Sequence, residues 1–316
     1  MCASIASSVS QEQSSEHNVL KRSPLADKPA QGGWDMHCHT VFSDGTYTPK
    51  QMIEQAQSLG LEGIAICDHD TSQGWDQAAS SAQETGIGLV FGTEITADFD
   101  CISVHMLAYE YDKHRDCIAD MFAQTRAARL KRTRTMVEKI SHDYPIDWDS
   151  VLAQVKEGER TTVGRPHIAD ALVAAGVYAT RSEAFAGIVS SSSTYYIPTP
   201  SPDARDVVRA VKDAGGVCVI AHPADRSRNR VLLSDEQIIA LVDLGLDGLE
   251  VWHRGNSIDQ RKRLLYLVEH YGLLATGGSD WHGLGKPNTL GECLTDSEVV
   301  QEIMRRGVRG KSSKQQ

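Results

Sequence analysis

The sequence lacks any run of about 18 consecutive apolar residues, so it predicts no transmembrane helix. Residues 1–30 are rich in Ser and Gln and contain no continuous apolar segment, which predicts a disordered leader and not a secretory signal. Seven cysteines without disulfide-like spacing are typical of a reducing compartment. The formal net charge of −10 disfavours generic binding to duplex DNA. We therefore predict a cytoplasmic protein that binds neither a membrane nor duplex DNA.

The chain is rich instead in short apolar runs that alternate with helical patterns. Its 316 residues are enough for one large α/β barrel or for two ordinary domains. The strand-like runs lie at about 33–38, 63–67, 88–91, 101–109, 217–221, 248–252 and 273–277. This α/β alternation predicts a distorted (β/α)7 barrel of the TIM type. A doubly wound open sheet is the alternative fold, but its site would draw on fewer strand ends.

The alternation of strands and helices is interrupted once. From about residue 112 the sequence has helical patterns without strand patterns, beginning with a long helix over about 119–140. The segment Gly164-Arg165-Pro166-His167 opens a further helix. We therefore predict barrel segments at 31–111 and 196–308, an inserted helical subdomain at 112–195, and disordered ends at 1–30 and 309–316.

Motifs rich in His, Asp and Glu follow most of the strand-like runs. In an extended strand, residues two apart point to the same face, so His37 and His39 can bind one metal ion. The later motifs are Asp68-His69-Asp70, Gly92-Thr93-Glu94, Ser103-Val104-His105, Ala221-His222-Pro223 and Ser279-Asp280-Trp281-His282. Because the site of a barrel lies at the carboxyl ends of its strands, we expect these side chains to converge. His105 is the exception, since it lies within its predicted strand.

The composition of these motifs indicates divalent metal ions. Histidines and carboxylates without Cys suit borderline or hard ions such as Zn, Mn or Fe. Eight or nine such side chains are too many for one ion, so we predict two or three. Ions of this kind lower the pKa of a bridging water and neutralise a phosphoryl group, which predicts a phosphoesterase.

In its motifs, the chain resembles the polymerase and histidinol phosphatase (PHP) family of metal-dependent phosphoesterases. Asp-x-His-x-His, Ser-Asp-Gly, Asp-His-Asp, Gly-x-Glu, Ala-His-Pro and Ser-Asp-x-His occur in the family's order between about residues 34 and 306. The insertion with Gly-Arg-Pro-His is similar to the branch that acts on nucleoside 3′,5′-bisphosphates and on short RNA 5′ ends. The resemblance implies that metal-bound hydroxide hydrolyses a phosphate ester of a nucleotide or a short 5′-phosphorylated oligonucleotide.

The resemblance also implies a set of ligands for three metal positions. They are His37, His39, Glu94 and Asp280 for the first position, Glu94 again with His105 and His222 for the second, and Asp44, His69 and His282 for the third. Nearby acids would fix the tautomers of the ligating imidazoles. The predicted acids are Asp35, Asp68 and Asp70.

Four further residues are candidate substrate contacts. Arg165 and His167 open a helix, whose N-terminus favours anions, although a buried structural Arg is the alternative. His253 and Arg254 follow the end of a predicted strand. A structural role is favoured for Arg126, Arg129 and Glu250.

Other functions stay open at this point. AMP and cyclic-nucleotide phosphoesterases share the resembled branch, and histidinol phosphatase is disfavoured only weakly by the large insertion. Amide hydrolysis in related barrels often uses a carboxylated lysine as the bridging ligand, but here Glu94 takes the bridging place. A non-enzymatic structural module predicts missing ligands, and none of the nine is missing. The sequence gives no signal for the oligomeric state.

Overall fold

The computed structural model describes residues 33–308, so the predicted leader and tail lie outside the described residues. Within that range, seven strands form one sheet in chain order. They are β1 (Trp34–Cys38), β2 (Gly63–Ile66), β3 (Gly88–Phe99), β4 (Ile102–Tyr109), β5 (Val217–Ile220), β6 (Gly248–Trp252) and β7 (Leu274–Gly277). All seven predicted strands are therefore found. Most of their ends differ from the predicted ends by a few residues.

The sheet is barrel-like and nearly closed. The chain just beyond β7 returns to the first strand, where the backbone N–H of His39 donates to the carbonyl of Trp281 at 2.8 Å. The pairs within β1–β3 and within β5–β7 are parallel, but β4 runs antiparallel to both neighbours. The fold is thus a mixed α/β barrel, and a simple (β/α)7 description misses the antiparallel strand.

A β-hairpin replaces the helix expected between the third and fourth strands. Asp100 and Cys101 form its turn with φ angles of 50° and 68°, as a two-residue type I′ turn requires. β3 was predicted to end near Phe91, but it continues to Phe99. Ile95, Ala97 and Phe99 are buried at alternate positions, and this period of two is the signal for the longer strand.

Ten helices surround the sheet in the described part of the chain. They are α1 (Pro49–Ser58), α2 (Trp75–Thr85), α3 (Asp116–Ile140), α4 (Trp148–Leu152), α5 (Arg165–Ala174), α6 (Arg181–Ala186), α7 (Ala204–Asp213), α8 (Asp235–Val242), α9 (Ile258–Tyr271) and α10 (Ser297–Arg306). Helix starts follow local chemistry: Thr48 accepts from the backbone of Gln51, whose side chain accepts from the backbone of Thr48. None of these helices combines the length and apolarity needed to cross a membrane.

Helices α3 to α6 lie between β4 and β5, and residues 112–195 contain no strand in the structure. Their apolar side chains form a cluster of their own, which includes Met136, Ile140, Ile168 and Leu172. The first turns of α3 instead pack on the main core through Ile118. These four helices thus share a small core, and we call them the insertion. The predicted subdomain and its boundaries stay a prediction.

Candidate metal centre

The end of β1 brings two histidines against two carboxylates. His37 and His39 are fully buried, and their Nε2 atoms lie 3.1 Å apart. Oε2 of Glu94 lies 3.3 Å from the first Nε2 and 3.1 Å from the second. Oδ1 of Asp280 lies 3.6 and 3.4 Å from the same two atoms. These four side chains, predicted for the first metal position, face a common point.

The two oxygens of Glu94 point to different groups of histidines. Oε2 faces the pair from β1, whereas Oε1 lies 2.6 Å from Nδ1 of His105 and 3.0 Å from Nε2 of His222. Three parts of the chain far apart in sequence therefore meet at one carboxylate. This arrangement is what a carboxylate bridging two cations requires.

The antiparallel strand explains why His105 reaches the centre from within a strand. Met106 pairs with Ile220, the last residue of β5, so His105 lies just beyond the carboxyl end of that parallel strand. The backbone N–H of Ala221 donates to the carbonyl of His105 at 2.9 Å. His105 is thus level with His222, although its position within an antiparallel strand does not follow from a parallel β/α repeat.

A third group forms around Asp44, in the loop after β1. Its Oδ1 lies 3.1 Å from Nε2 of His282, and its Oδ2 lies 3.9 Å from Nε2 of His69. His39 joins this group, because its Nδ1 lies 3.6 Å from Oδ1 of Asp44. Within the described residues, sets of atoms that could hold an ion and lie within 4.8 Å of one another overlap at His39, His69 and Glu94.

Unpaired buried atoms show that this cluster fits metal ions. Nδ1 of His69, Oε2 of Glu94, Oδ1 of Asp280 and Nε2 of His282 are buried without a hydrogen-bond partner among the described residues. Each such atom costs about 1–3 kcal/mol when left unsatisfied. Divalent ions coordinated by these atoms would remove that cost, and the imidazole and carboxylate donors suit Zn, Mn or Fe.

The carboxylates of the cluster favour positive charge at His37 and stay ionised themselves. Burial by itself would lower the pKa of His37, but the carboxylates of Glu94 and Glu250 raise that pKa well above its ordinary value. Burial would raise the pKa of Glu94, yet the surrounding imidazoles, with His105 foremost, hold it well below its ordinary value. Ionised carboxylates therefore lie close together out of water, which is a setting for bound cations.

Two of the acids predicted to orient imidazoles orient loops instead. Asp35 accepts from the backbone N–H of Ser279 at 2.9 Å and from its hydroxyl at 2.5 Å. Asp68 accepts from the backbone N–H of Thr40 and from the hydroxyl of Ser43, both at 2.7 Å. Among the described residues, the side-chain hydrogen bonds of both acids are to backbone and hydroxyl groups, and none is to an imidazole ring.

Glu250 makes the contact with a ligating imidazole that was predicted for Asp35 and Asp68. Its Oε1 lies 3.0 Å from Nδ1 of His37, which leaves Nε2 of that ring facing Glu94. Its Oε2 accepts from the backbone N–H of His222 at 2.6 Å. The carboxylate thereby orients two predicted ligands, a role that the sequence analysis missed. The available signal in the sequence was an ionisable residue near the end of the apolar run that forms β6. In the structure this carboxylate is completely buried.

Asp70 is paired with an arginine of the insertion. Its Oδ2 lies 2.9 Å from Nε of Arg129, and the same guanidinium bonds the hydroxyl of Thr96. The helix α3 is thereby tied to the rim of the metal cluster. Arg129 therefore has more than the structural role favoured from the sequence, because its side chain also lines the cleft described next.

A cleft of about 1210 Å³ opens over the cluster, between the barrel and the insertion. One part of its wall carries metal-ligand candidates, and another part carries cationic side chains. The cations are Arg129, Arg132, Arg165, Arg181, Arg228 and Lys286. Burial first, and then the neighbouring Arg165, lower the pKa of Arg132 to about 10. Positive charge is therefore concentrated along one part of the cleft wall.

Two of these cations reach the metal cluster and were not predicted. Nζ of Lys286 lies 2.8 Å from Oδ2 of Asp280. Nη1 of Arg228 bonds Nε2 of His222 and lies 3.7 Å from Oε1 of Glu94. Each follows a ligand motif by a few residues, which was the available signal.

Of the residues at the start of α5, one faces the cleft and one does not. The Arg165 guanidinium lies 5.4 Å from the ring centroids of both Phe185 and Tyr196, and Nη1 donates to the carbonyl of Val189. His167 caps its own helix, since its Nδ1 accepts from the backbone N–H of Gly164 at 3.2 Å. It lines a separate cavity of about 330 Å³ behind Asp44.

The two candidates after β6 also differ. His253 is buried with its ring centroid 5.4 Å from that of His222, and its Nε2 has no hydrogen-bond partner among the described residues. Arg254 donates to the carbonyl of Pro287 at 3.0 Å and lies 3.4 Å from Glu292. Neither residue lines the cleft, but His253 lies beside the ring of a predicted ligand, whereas Arg254 is bonded to the loop at Pro287.

Comparisons with known proteins agree with this site. A family model described as PHP domain matches residues 35–213. A 5′-3′ exoribonuclease of Haemophilus influenzae is 29% identical, with 79% of this chain and 89% of the relative covered. A phosphoribosyl 1,2-cyclic phosphate 1,2-diphosphodiesterase of Eggerthella lenta is 30% identical, with 79% and 94% covered. A 3′,5′-nucleoside bisphosphate phosphatase of Chromobacterium violaceum is 27% identical, with 80% and 88% covered.

One solved structure is similar over nearly its whole length. It is a candidate metal-dependent phosphoesterase from Bifidobacterium adolescentis, 65% identical, with a TM-score of 0.88. The match covers 89% of this chain and 98% of that one. Together the relatives confirm the prediction of a phosphoesterase enzyme.

Proposed function

The chain belongs to the PHP domain family, and from that premise we propose that it hydrolyses a phosphate ester of a nucleotide that carries a second phosphate. The observation that carries the proposal is the single cleft that joins a metal-type cluster to a wall of arginines. A cluster of this kind suits the scissile phosphate, and guanidinium groups suit another phosphate held away from it.

Two or three divalent ions would occupy the centre, with Mn, Fe or Zn suited to its ligands. The nine predicted side chains would hold them, and Glu94 would contribute one oxygen to each of two positions. When bound, such ions lower the pKa of a coordinated water and neutralise charge on the phosphoryl group. The remaining work of binding and orientation belongs to the chain's own residues.

Arg228 and Lys286 are placed to bind the phosphoryl oxygens. Both border the cluster and line the cleft, so a phosphate entering over Asp280 would meet their positive charges. The cluster holds no activated side-chain nucleophile that we can identify. The Ser43 hydroxyl donates to Asp68, and burial raises the pKa of the Cys38 thiol well above its ordinary value.

Arg165 is the proposed contact for the second phosphate. It lies in the same cleft, and the rings of Phe185 and Tyr196 hold its planar group in place. Its neighbours Arg129 and Arg132 extend the positive surface along the insertion. A bisphosphate or a 5′-phosphorylated chain would place a phosphate against these arginines. AMP has one phosphate only, so it would leave them without an anionic partner.

The names of the relatives support a substrate with phosphate on a ribose. They are 5′-3′ exoribonuclease, phosphoribosyl 1,2-cyclic phosphate 1,2-diphosphodiesterase and 3′,5′-nucleoside bisphosphate phosphatase. For this chain we propose a small phosphorylated partner of that chemistry, acted on in the cytoplasm. A cyclic phosphodiester is the second candidate, because the relative from Eggerthella lenta bears that name.

The test is a panel of hydrolysis assays with Mn-loaded protein, in which released phosphate is measured for phosphomonoesters and the products of phosphodiesters are separated by chromatography. The panel compares adenosine 3′,5′-bisphosphate, a 5′-phosphorylated dinucleotide, AMP, cyclic AMP, phosphoribosyl 1,2-cyclic phosphate and histidinol phosphate. We expect the highest kcat/KM for the bisphosphate or the dinucleotide. A preference for AMP or histidinol phosphate would contradict the assignment of the arginine wall.

A further inference from the structure

The loop that carries Asp44 is held by the helical insertion as well as by the barrel. Residues 40–47 form this loop, and four of its carbonyl groups accept hydrogen bonds from the insertion. The donors are Lys156 Nζ to Thr46 at 2.7 Å, Thr161 Oγ1 to Val41 at 3.0 Å, the Thr162 N–H to Phe42 at 2.9 Å, and Arg181 Nη1 to Asp44 at 2.7 Å. We call these four hydrogen bonds the clasp.

Arg181 has the most constrained side chain of the clasp. Its Nε donates to Oδ1 of Asp170 at 2.7 Å, and its Nη2 donates to Oδ2 of the same carboxylate. This two-point pairing on α5 fixes the guanidinium plane and directs Nη1 at the carbonyl of Asp44. The side chain is 11% exposed, so little water competes for these contacts.

The same guanidinium also lies against the loop that carries His282. A Cβ atom at Gly285 would lie 2.2 Å from Nη1 of Arg181, so this close approach requires glycine. The two loops are joined to each other as well, because the backbone N–H of Thr46 donates to the carbonyl of His282 at 3.1 Å. Arg181 is therefore wedged where two loops with predicted ligands meet.

On the premise of the proposed function, we propose that Arg181 is a positioning residue for the third metal position. Metal–ligand distances vary by only about 0.2 Å, so a loop that shifts by more than this weakens the binding of its ion. Asp44 lies on the clasped loop, and its carboxylate reaches His282 at 3.1 Å. The ligands proposed for the first two positions lie within strands or shortly after them, and none of them lies on the clasped loop.

The test measures Mn²⁺ binding to the metal-stripped full-length chain by equilibrium dialysis with elemental analysis. We expect three equivalents in the wild type. Arg181→Met should weaken the third ion about 10- to 100-fold and leave the other two unchanged. Asp44→Asn removes the ligand itself and should show the same pattern. Arg134→Met is the matched control, because its guanidinium packs over the Trp148 ring at 4.6 Å, away from the clasp.

Since Arg181 is buried, its replacement can also lower stability, so a second variant is needed. Asp170→Asn keeps the guanidinium but removes the charge that orients it, and a smaller weakening of the third ion is expected. Circular dichroism and thermal melts check that each variant is folded. Third-ion affinity like that of the wild type in both folded variants would overturn the positioning role, as would an equal loss of all three ions.

The wild-type stoichiometry separates this inference from its premise. Two equivalents in the wild type would overturn the clasp proposal, because there would be no third ion to position, and the two-ion phosphoesterase would stand. One equivalent or fewer after reconstitution would overturn the proposed function itself.

Discussion

The two walls of the cleft are held in place by different kinds of structure. The metal wall is built from strand ends and the loops that directly follow them, and its side chains are almost fully buried. The arginine wall is built mainly from helices of the insertion, whose side chains are partly exposed. The comparison teaches that strand geometry sets the position of the reacting centre. The packing of the insertion sets where a second phosphate of the substrate would bind.

The largest effect should come from breaking the metal wall at its shared ligand. Glu94→Gln keeps the size of the side chain but removes the charge directed at two groups of histidines. We expect metal content and activity to fall together, with kcat/KM reduced at least about a hundredfold. Elemental analysis and phosphate release measure the two quantities. Full activity in this variant would rule out the bridging role, and Glu84→Gln, on an exposed position, is the control.

A smaller loss of metal affinity or activity is expected at Glu250, which contacts a predicted ligand and is not itself one. Glu250→Gln leaves the ligands intact but weakens the hydrogen bond that orients His37. Metal affinity or activity should fall about 10- to 100-fold, as is typical for partners of ligating imidazoles. Titration with Mn²⁺ separates the two, since added metal should restore part of the activity. A variant with unchanged metal affinity and rate would show that the contact is only structural.

The arginine wall should affect one substrate more than another. Arg165→Ala removes a charged hydrogen bond to the second phosphate, worth about 1.5–3 kcal/mol. The value of kcat/KM should therefore drop roughly ten- to a hundredfold more for adenosine 3′,5′-bisphosphate than for AMP. Equal losses on both substrates would place Arg165 at the scissile phosphate or in the packing of the insertion.

The smallest effect is expected for the arginine that lies outside both walls. Arg254→Ala removes a side chain that is bonded to the loop at Pro287 and is 45% exposed. We expect kcat/KM to stay within about twofold on every substrate, because exposed pairs contribute little. A selective loss on the bisphosphate would instead restore the sequence-based prediction that Arg254 contacts substrate.

Much of the fold followed from local patterns in the sequence. Apolar runs placed most strand ends to within a few residues, and the capping side chains of Thr48 and Ser234 begin α1 and α8. The antiparallel β4 was not foreseen, because a hairpin and a β/α unit look alike when the third strand seems to end at Phe91. The turn at Asp100 and Cys101 depends on backbone conformations that these residue types do not signal strongly.

The acids around the centre show the limit of motif reasoning. Asp35, Asp68 and Asp70 adjoin the ligands in sequence, yet their contacts are with loops and with Arg129. Glu250 adjoins no ligand motif, yet it bonds His37 across 213 positions of the chain. The carboxylate partner of the His37 imidazole thus comes from another strand, and closeness in sequence to a ligand does not identify it.

By itself, the sequence determined the family, the strand ends and the identity of the metal-type side chains, since those depend on residue type and on spacing along one segment. Tertiary structure alone decided which oxygen of Glu94 faces which histidines, which cations border them and how the insertion holds the Asp44 loop. These are distances between segments far apart in the chain. They arise only when the barrel closes and the insertion packs against it.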